Sequence, residues 1–218
     1  MATGRYDLFA KNLIKSAREF FLQECEVTYF VFTDQAMIEE QDVKVIYQKR
    51  LGWPYDTMMR FQVYLEHKEL FQDYDYLFSI DADMLFASSV GEEILGDLIG
   101  TEHPGFFGGK RGSFESRPQS TAYIGPEEES MYFAGGFYGG KKEEFLKLIA
   151  TTSENIQQDL DNGIIAVWHD ESHLNRYFID HPPTVKLTPS YCYPESWKIP
   201  FVKKLLALDK DHAEVRKM

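Results

Sequence analysis

The first part of the chain alternates between two hydrophobic periods, and this limits the folds open to it. Tyr6, Phe9, Leu13, Ala17, Phe20 and Phe21 recur at helical spacing between Tyr6 and Leu22. "VTYFVFT" (27–33) is a β-branched and aromatic run, and "VKVIY" (43–47) is a second; both read as strands. "DTMMRFQVYLEHKEL" opens on Asp56 and Thr57 as capping residues and reads as a helix. "DYLFSI" is a third strand, ending at Asp81. Helix and strand in alternation predict a parallel sheet in an α/β fold. Because the first helix begins at Tyr6, the strand expected before it is either trimmed or reduced to the residues before Gly4.

The second half reads differently. Glycine-rich aromatic segments ("HPGFFGGKRGSF", "MYFAGGFYGG") precede a helix from about Lys141 to Leu160, then "DNGIIAVWHDESHLNRYF" and a proline-rich stretch from Pro182 to Pro200. One core across all 218 residues is expected, with a nucleotide-binding half (1–86) and a ligand-facing half (87–218). A formal net charge of −12 argues against nucleic acid or anionic lipid as a main partner. Any anionic ligand then needs locally placed cations or a metal. Cys25 and Cys192 have neither metal-ligand spacing nor a disulfide framework, so two free thiols in a reducing cytoplasm are expected. No apolar run reaches the ~18 residues of a membrane span, and no signal peptide is visible; the expectation is a soluble, cytoplasmic protein.

Four places carry possible chemistry. Asp81 and Asp83 close an apolar strand, where carboxylates are costly unless paired or metal-bound. In an extended segment, positions i and i+2 share a face ~7 Å apart, so both acids can converge on Mg²⁺ or Mn²⁺; two solvated loop aspartates are the plainer alternative. Trp168-His169-Asp170-Glu171 lies just before a helix starting near Ser172. There Asp170 is a helix cap with Glu171 in the first turn, or one of the two carboxylates faces an anomeric carbon, with Trp168 offering a flat face to a sugar. Ala134, Gly135 and Gly136 are either a turn or bulge or a place for a ligand to approach the backbone. Lys210 and Arg216 belong to a frayed tail or to a lid over phosphates.

With those residues in view, the chain resembles glycosyltransferase family six, the retaining α1,3-galactosyl- and N-acetylgalactosaminyltransferases that include the histo-blood-group enzymes. The resemblance rests on "GRYDLF", "VFTD", "IDADM.F", "HPGF", "RPQS.AYI", "GG..GG" and above all "NGI.AVWHDESHLN", in order across nearly the whole chain. It implies a GT-A fold, here of the smaller soluble microbial type without stem or anchor. It also implies a UDP-sugar donor, UDP-GalNAc or UDP-Gal, and a galactoside acceptor.

By position, Asp81 and Asp83 match the D-x-D pair that binds Mn²⁺ (or Mg²⁺) and the donor. Tyr6, Phe32 and Asp34 match residues around the uridine, and Arg60 an arginine near the donor sugar. Asp170 matches a donor-sugar contact, and Glu171 the glutamate near the anomeric carbon, a candidate nucleophile. Lys210 and Arg216 match cations of a tail that meets the diphosphate. His103, Ser113 and Trp168 match acceptor-side positions. Glu195 is adjacent to Pro194, which stands where the blood-group enzymes carry an acid. Gly105, Ala134 and Gly136 stand at the donor-discriminating positions. Their small size leaves space for a 2-acetamido group, which favours UDP-GalNAc. The alternatives are an α1,3-galactosyltransferase using UDP-Gal, a sugar-binding module without catalysis, and a nucleotide-sugar hydrolase.

Overall fold

The computed structural model describes residues 1–37, 39–128 and 131–211. Helix α1 (Asp7–Phe20) buries Ala10, Ile14 and Ala17 at spacings that share one helix face. Its outer side carries Arg18, which pairs with Glu40 and Asp42. Strands β1 (Tyr29–Thr33) and β2 (Val43–Tyr47) run parallel, Tyr29 opposite Val43 and Thr33 opposite Tyr47. Ahead of α1, the Ala2 N–H donates to Phe32 O at 2.8 Å and the Thr33 hydroxyl to Ala2 O at 2.7 Å. The residues before Gly4 therefore do run beside β1.

The segment expected as one helix from Asp56 onwards forms two, α2 (Tyr55–Met58) and α3 (Arg60–Glu66). The break falls where Arg60 turns back onto Thr57. Its Nε donates to Thr57 O (3.2 Å) and its Nη2 to Thr57 Oγ1 (2.7 Å).

The remaining strands are β3 (Tyr76–Ile80), β4 (Met84–Phe86), β5 (Leu98–Glu102) and β6 (Phe133–Lys141). Helices α4 (Lys142–Asp161) and α5 (His169–Asp180) follow, then short β7 (Val185–Leu187), β8 (Tyr193–Pro194) and β9 (Leu205–Ala207). The central sheet has the order β3-β6-β5-β7, while β4, β9 and β8 form another. The fold is mixed α/β, but the sheet is not parallel throughout as expected: β6 is antiparallel to both β3 and β5. The helix–strand alternation that argued for parallel pairing ends at β4. The chain then returns through a long connection and enters β6 in the opposite direction.

The glycine-rich segment is thus the middle of the sheet. A Cβ on Gly139 would lie 2.2 Å from Leu77 O, and one on Gly140 2.2 Å from Asp97 O. Glycine lets the neighbouring backbones approach this closely. Gly100 pairs with Tyr138 but Thr101 with Ala134, so residues 135–137 bulge out of the ladder with β5. Two apolar layers flank the sheet. One holds Phe32, Phe61, Tyr64, Tyr138 and Phe145; the other holds Ala17, Phe21, Phe86, Phe137 and Leu205. Among the described residues, no helix is long and apolar enough to cross a membrane.

Candidate active site

The bulge in β6 joins the two acidic motifs. Gly136 O accepts the Asp81 N–H (2.9 Å), and the Gly135 N–H donates to Glu171 Oε2 (2.8 Å). Asp81 and Asp83 are not in an extended segment, as the i, i+2 argument assumed. The Met84 N–H donates to Asp81 O (3.1 Å), which closes a turn between β3 and β4. A turn is needed because those two strands belong to different sheets.

Arg60 lies between two carboxylates. Its Nη1 meets Asp81 Oδ1 at 2.6 Å and its Nε meets Asp170 Oδ2 at 3.0 Å. Asp170 Oδ1 also accepts from the Thr57 hydroxyl (3.1 Å). Arg60 and Asp170 are 7% and 6% exposed, so this is a buried, hydrogen-bonded pair. Burial disfavours the Arg60 cation, but the charges of Asp170 and Asp81 outweigh it and hold the guanidinium protonated. Burial pushes the Asp170 carboxyl up, against the pull of Arg60. Asp170 is not the helix cap: α5 begins at His169, earlier than expected, which puts Asp170 and Glu171 both in its first turn, and its capping position, Trp168, makes no side-chain cap bond.

Glu171 is held at both oxygens. Oε1 accepts from the Tyr132 hydroxyl (2.8 Å) and Oε2 from Gly135. Burial nevertheless pushes its carboxyl up to about 7. The Tyr132 ring packs against His103, Phe106 and Phe114, with centroids 5.6, 5.0 and 5.0 Å away. His103 Nδ1 accepts the Gly105 N–H (3.0 Å), and burial pulls the imidazole down to about 4, so it is neutral near pH 7. The Trp168 indole donates to Ser113 Oγ (2.7 Å). His103 thus reaches Glu171 through Tyr132, and Ser113 and Trp168 are bonded to each other.

On the other side, Lys210 pairs with Asp83 and lies 5.3 Å from the centre of the Tyr6 ring. Asp34 accepts the Gly4 N–H (2.7 Å), close in sequence to Tyr6. Two expected site residues sit differently. The Phe32 ring is in the core, against Tyr64 and His67, so only its backbone can face a ligand. Glu195 accepts the Asp209 N–H (2.9 Å) and so fastens the approach to the tail. Arg216 lies outside the described residues, as does the rest of the tail from 212 onwards. A Cβ on Gly136 would face Cys192 Sγ at 3.2 Å and Met84 Cε at 3.6 Å, and Ala134 is 2% exposed. Of the small residues here, Gly135 borders the Glu171 carboxylate. Thr57 and Tyr132 were not singled out from sequence for the site: a capping threonine and a tyrosine in an apolar run carry no local signature of it.

Among the described residues, no third Asp, Glu, His or Cys joins Asp81 and Asp83 as a metal-ligand group. A pair of hard carboxylates at a strand end fits Mg²⁺ or Mn²⁺, ions that complete their shells with substrate phosphates and water.

The family model described as Glycosyltransferase family 6 matches residues 1–217. The chain belongs to glycosyltransferase family 6. It is 37% identical over 232 residues to the histo-blood group ABO system transferase 1 of Rattus norvegicus, covering 99% of this chain and 66% of the relative. It is 35% identical over 233 residues to the globoside α-1,3-N-acetylgalactosaminyltransferase 1 of Gallus gallus, covering 99% and 67%. It is 31% identical over 220 residues to the O-antigen biosynthesis glycosyltransferase WbnI of Escherichia coli, covering 97% and 93%. The chain thus spans about two thirds of the length of the vertebrate relatives and nearly all of the bacterial one.

Proposed function

We propose that this protein is a retaining glycosyltransferase that moves GalNAc from UDP-GalNAc, in α1,3 linkage, to a β-galactoside, plain or fucosylated. The observation that carries this reading is Glu171, a half-buried carboxylate held at both oxygens and tied through one bulge to the Asp81 backbone. A carboxylate so fixed is placed to stabilise or attack an anomeric carbon as the diphosphate departs. Arg60 fixes Asp81 and Asp170 in one network that faces the donor sugar. Asp81 and Asp83 would hold Mn²⁺ or Mg²⁺, which offsets charge on the diphosphate. In this reading residues 1–86, with Tyr6 and Asp34, take the nucleotide. Residues 87–218 take the sugar and acceptor, with His103, Ser113 and Trp168 on the acceptor side, and Lys210 and Arg216 closing over the phosphates.

The preference for GalNAc draws support from the names of the globoside α-1,3-N-acetylgalactosaminyltransferase relatives. The alternative, transfer from UDP-Gal, is favoured to the extent that Ala134 and Gly136 face the core rather than open space. One product analysis separates the readings: both donors, plain and fucosylated galactosides, with and without Mn²⁺. The expected product is an α1,3-linked GalNAc formed only with the metal. A clear preference for UDP-Gal overturns the donor, and undiminished turnover after exhaustive EDTA overturns the metal. UDP release at the same rate without acceptor would make the protein a hydrolase.

A further inference from the structure

Segments 113–117, ahead of β6, and 165–168, ahead of α5, lie far apart in sequence but are laced together by three hydrogen bonds. The Trp168 indole donates to Ser113 Oγ (2.7 Å), the Val167 N–H to Glu115 Oε2 (2.8 Å) and Arg117 Nη2 to Ile165 O (2.6 Å). The two segments therefore run in opposite directions, with Glu115 as the middle rung. Glu115 is 2% exposed, whereas Trp168 is 49% exposed.

Both Glu115 oxygens are fully engaged. Oε1 accepts the Arg117 backbone N–H and its Nε (both 2.9 Å); Oε2 accepts Arg117 Nη2 (2.7 Å) and the Val167 N–H. These four donors take up the acceptor capacity of an ionised carboxylate. The bonds from the Arg117 side chain are the largest influence on the carboxyl and hold it down at about 2. A glutamine here would turn an N–H₂ toward two of the donors, whichever way its amide lay.

The course of the first segment does not hang on that side chain. Glu115 O accepts the Ile124 N–H (3.0 Å), and Asp159 accepts the Thr121 N–H (2.7 Å) and the Ser120 hydroxyl (2.5 Å). What the carboxylate adds is the link across to Val167, the neighbour of Trp168. The Ser113 hydroxyl, having accepted from the indole, keeps its own hydrogen for a further acceptor. The pair thus offers a flat, half-exposed aromatic face beside an O–H donor, which suits the apolar face and a hydroxyl of one sugar. We propose that Glu115 is a positioning residue for acceptor binding; this rests on reading Ser113 and Trp168 as the acceptor side. Buried behind the pair, Glu115 touches no substrate and sets how far the hydroxyl stands from the indole.

The test follows variants by the Trp168 indole N–H resonance, identified by its absence from Trp168→Phe, and by calorimetric titration with UDP and with lactose, a β-galactoside. Glu115→Gln is expected to shift that resonance and to weaken lactose binding about tenfold or more, with UDP binding unchanged. Ser113→Ala should weaken lactose binding too, and the double variant no further than the stronger single, because both act on one contact. Asp159→Asn loosens the same segment elsewhere, so it should lower the melting temperature and spare lactose binding. If Glu115→Gln does not fold, Glu115→Asp carries the test: it keeps the charge beside Arg117 and falls one methylene short of Val167. An unmoved resonance, additive losses, or an equal loss of lactose binding in Asp159→Asn overturns the proposal and leaves the acceptor reading intact. A parent chain that binds no lactose overturns the acceptor reading, and the proposal with it.

Discussion

Glu171 is the residue where structure and chemistry meet most directly. Its carboxyl is raised from 4.5 to about 7 by burial. An acid raised on folding binds its proton more tightly folded than unfolded, so stability falls as pH climbs from about 4.5 to about 7. The full shift corresponds to about 3 kcal/mol. Glu171→Gln is therefore expected to lose less melting temperature than the parent between about pH 5 and pH 8. It should also keep UDP binding while losing most transfer; parallel melting curves or near-normal turnover would refute the assignment. Arg60 gives a second prediction. Arg60→Ala leaves Asp81 and Asp170 without their buried partner and is expected to cost about 3–5 kcal/mol. Adding Asp170→Asn should recover part of that loss, so a double-mutant cycle with no coupling contradicts the pairing.

At the scale of elements, β6 carries both the sheet and the site, and its glycines separate the two duties. Gly139→Ala puts a Cβ 2.2 Å from Leu77 O, so β3 and β6 must part; loss of folding or a fall of about 3 kcal/mol or more is expected. Gly135→Ala meets only Glu171, at 3.4 Å, so it should fold with nearly unchanged melting temperature and lose transfer. If both variants behave alike, the division is wrong. The same strand marks what the sequence could reveal. The first helix, β1 and β2 were legible because their periods are local and their packing one-sided. The antiparallel entry of β6, the turn at Asp81 and the break before Arg60 were not, since each is imposed by residues far along the chain. The acids stood out in the sequence because carboxylates beside apolar runs need partners, and the structure supplies them in Arg60 and Lys210. Their supports, Thr57 and Tyr132, become visible only once α5 lies against β6.

Across the whole molecule, the excess of acids acts as self-repulsion. With a formal net charge of −12, the melting temperature is expected to rise between about 10 mM and about 0.15 M salt as the charges are screened. A melting temperature that does not move over that range would mean the acids are already neutralised locally, as Arg18 does for Glu40 and Asp42. The partly exposed tryptophans carry a different consequence. Trp53 packs edge-on against His169, with centroids 4.9 Å apart, and Trp168 bonds Ser113; with Trp197 they are the three tryptophans of the chain. Two of the three thus sit at the segment that carries Asp170 and Glu171. The protein's own ultraviolet emission is therefore a built-in gauge of that segment, with Trp168→Phe expected to dim it and Trp197→Phe to leave it lit.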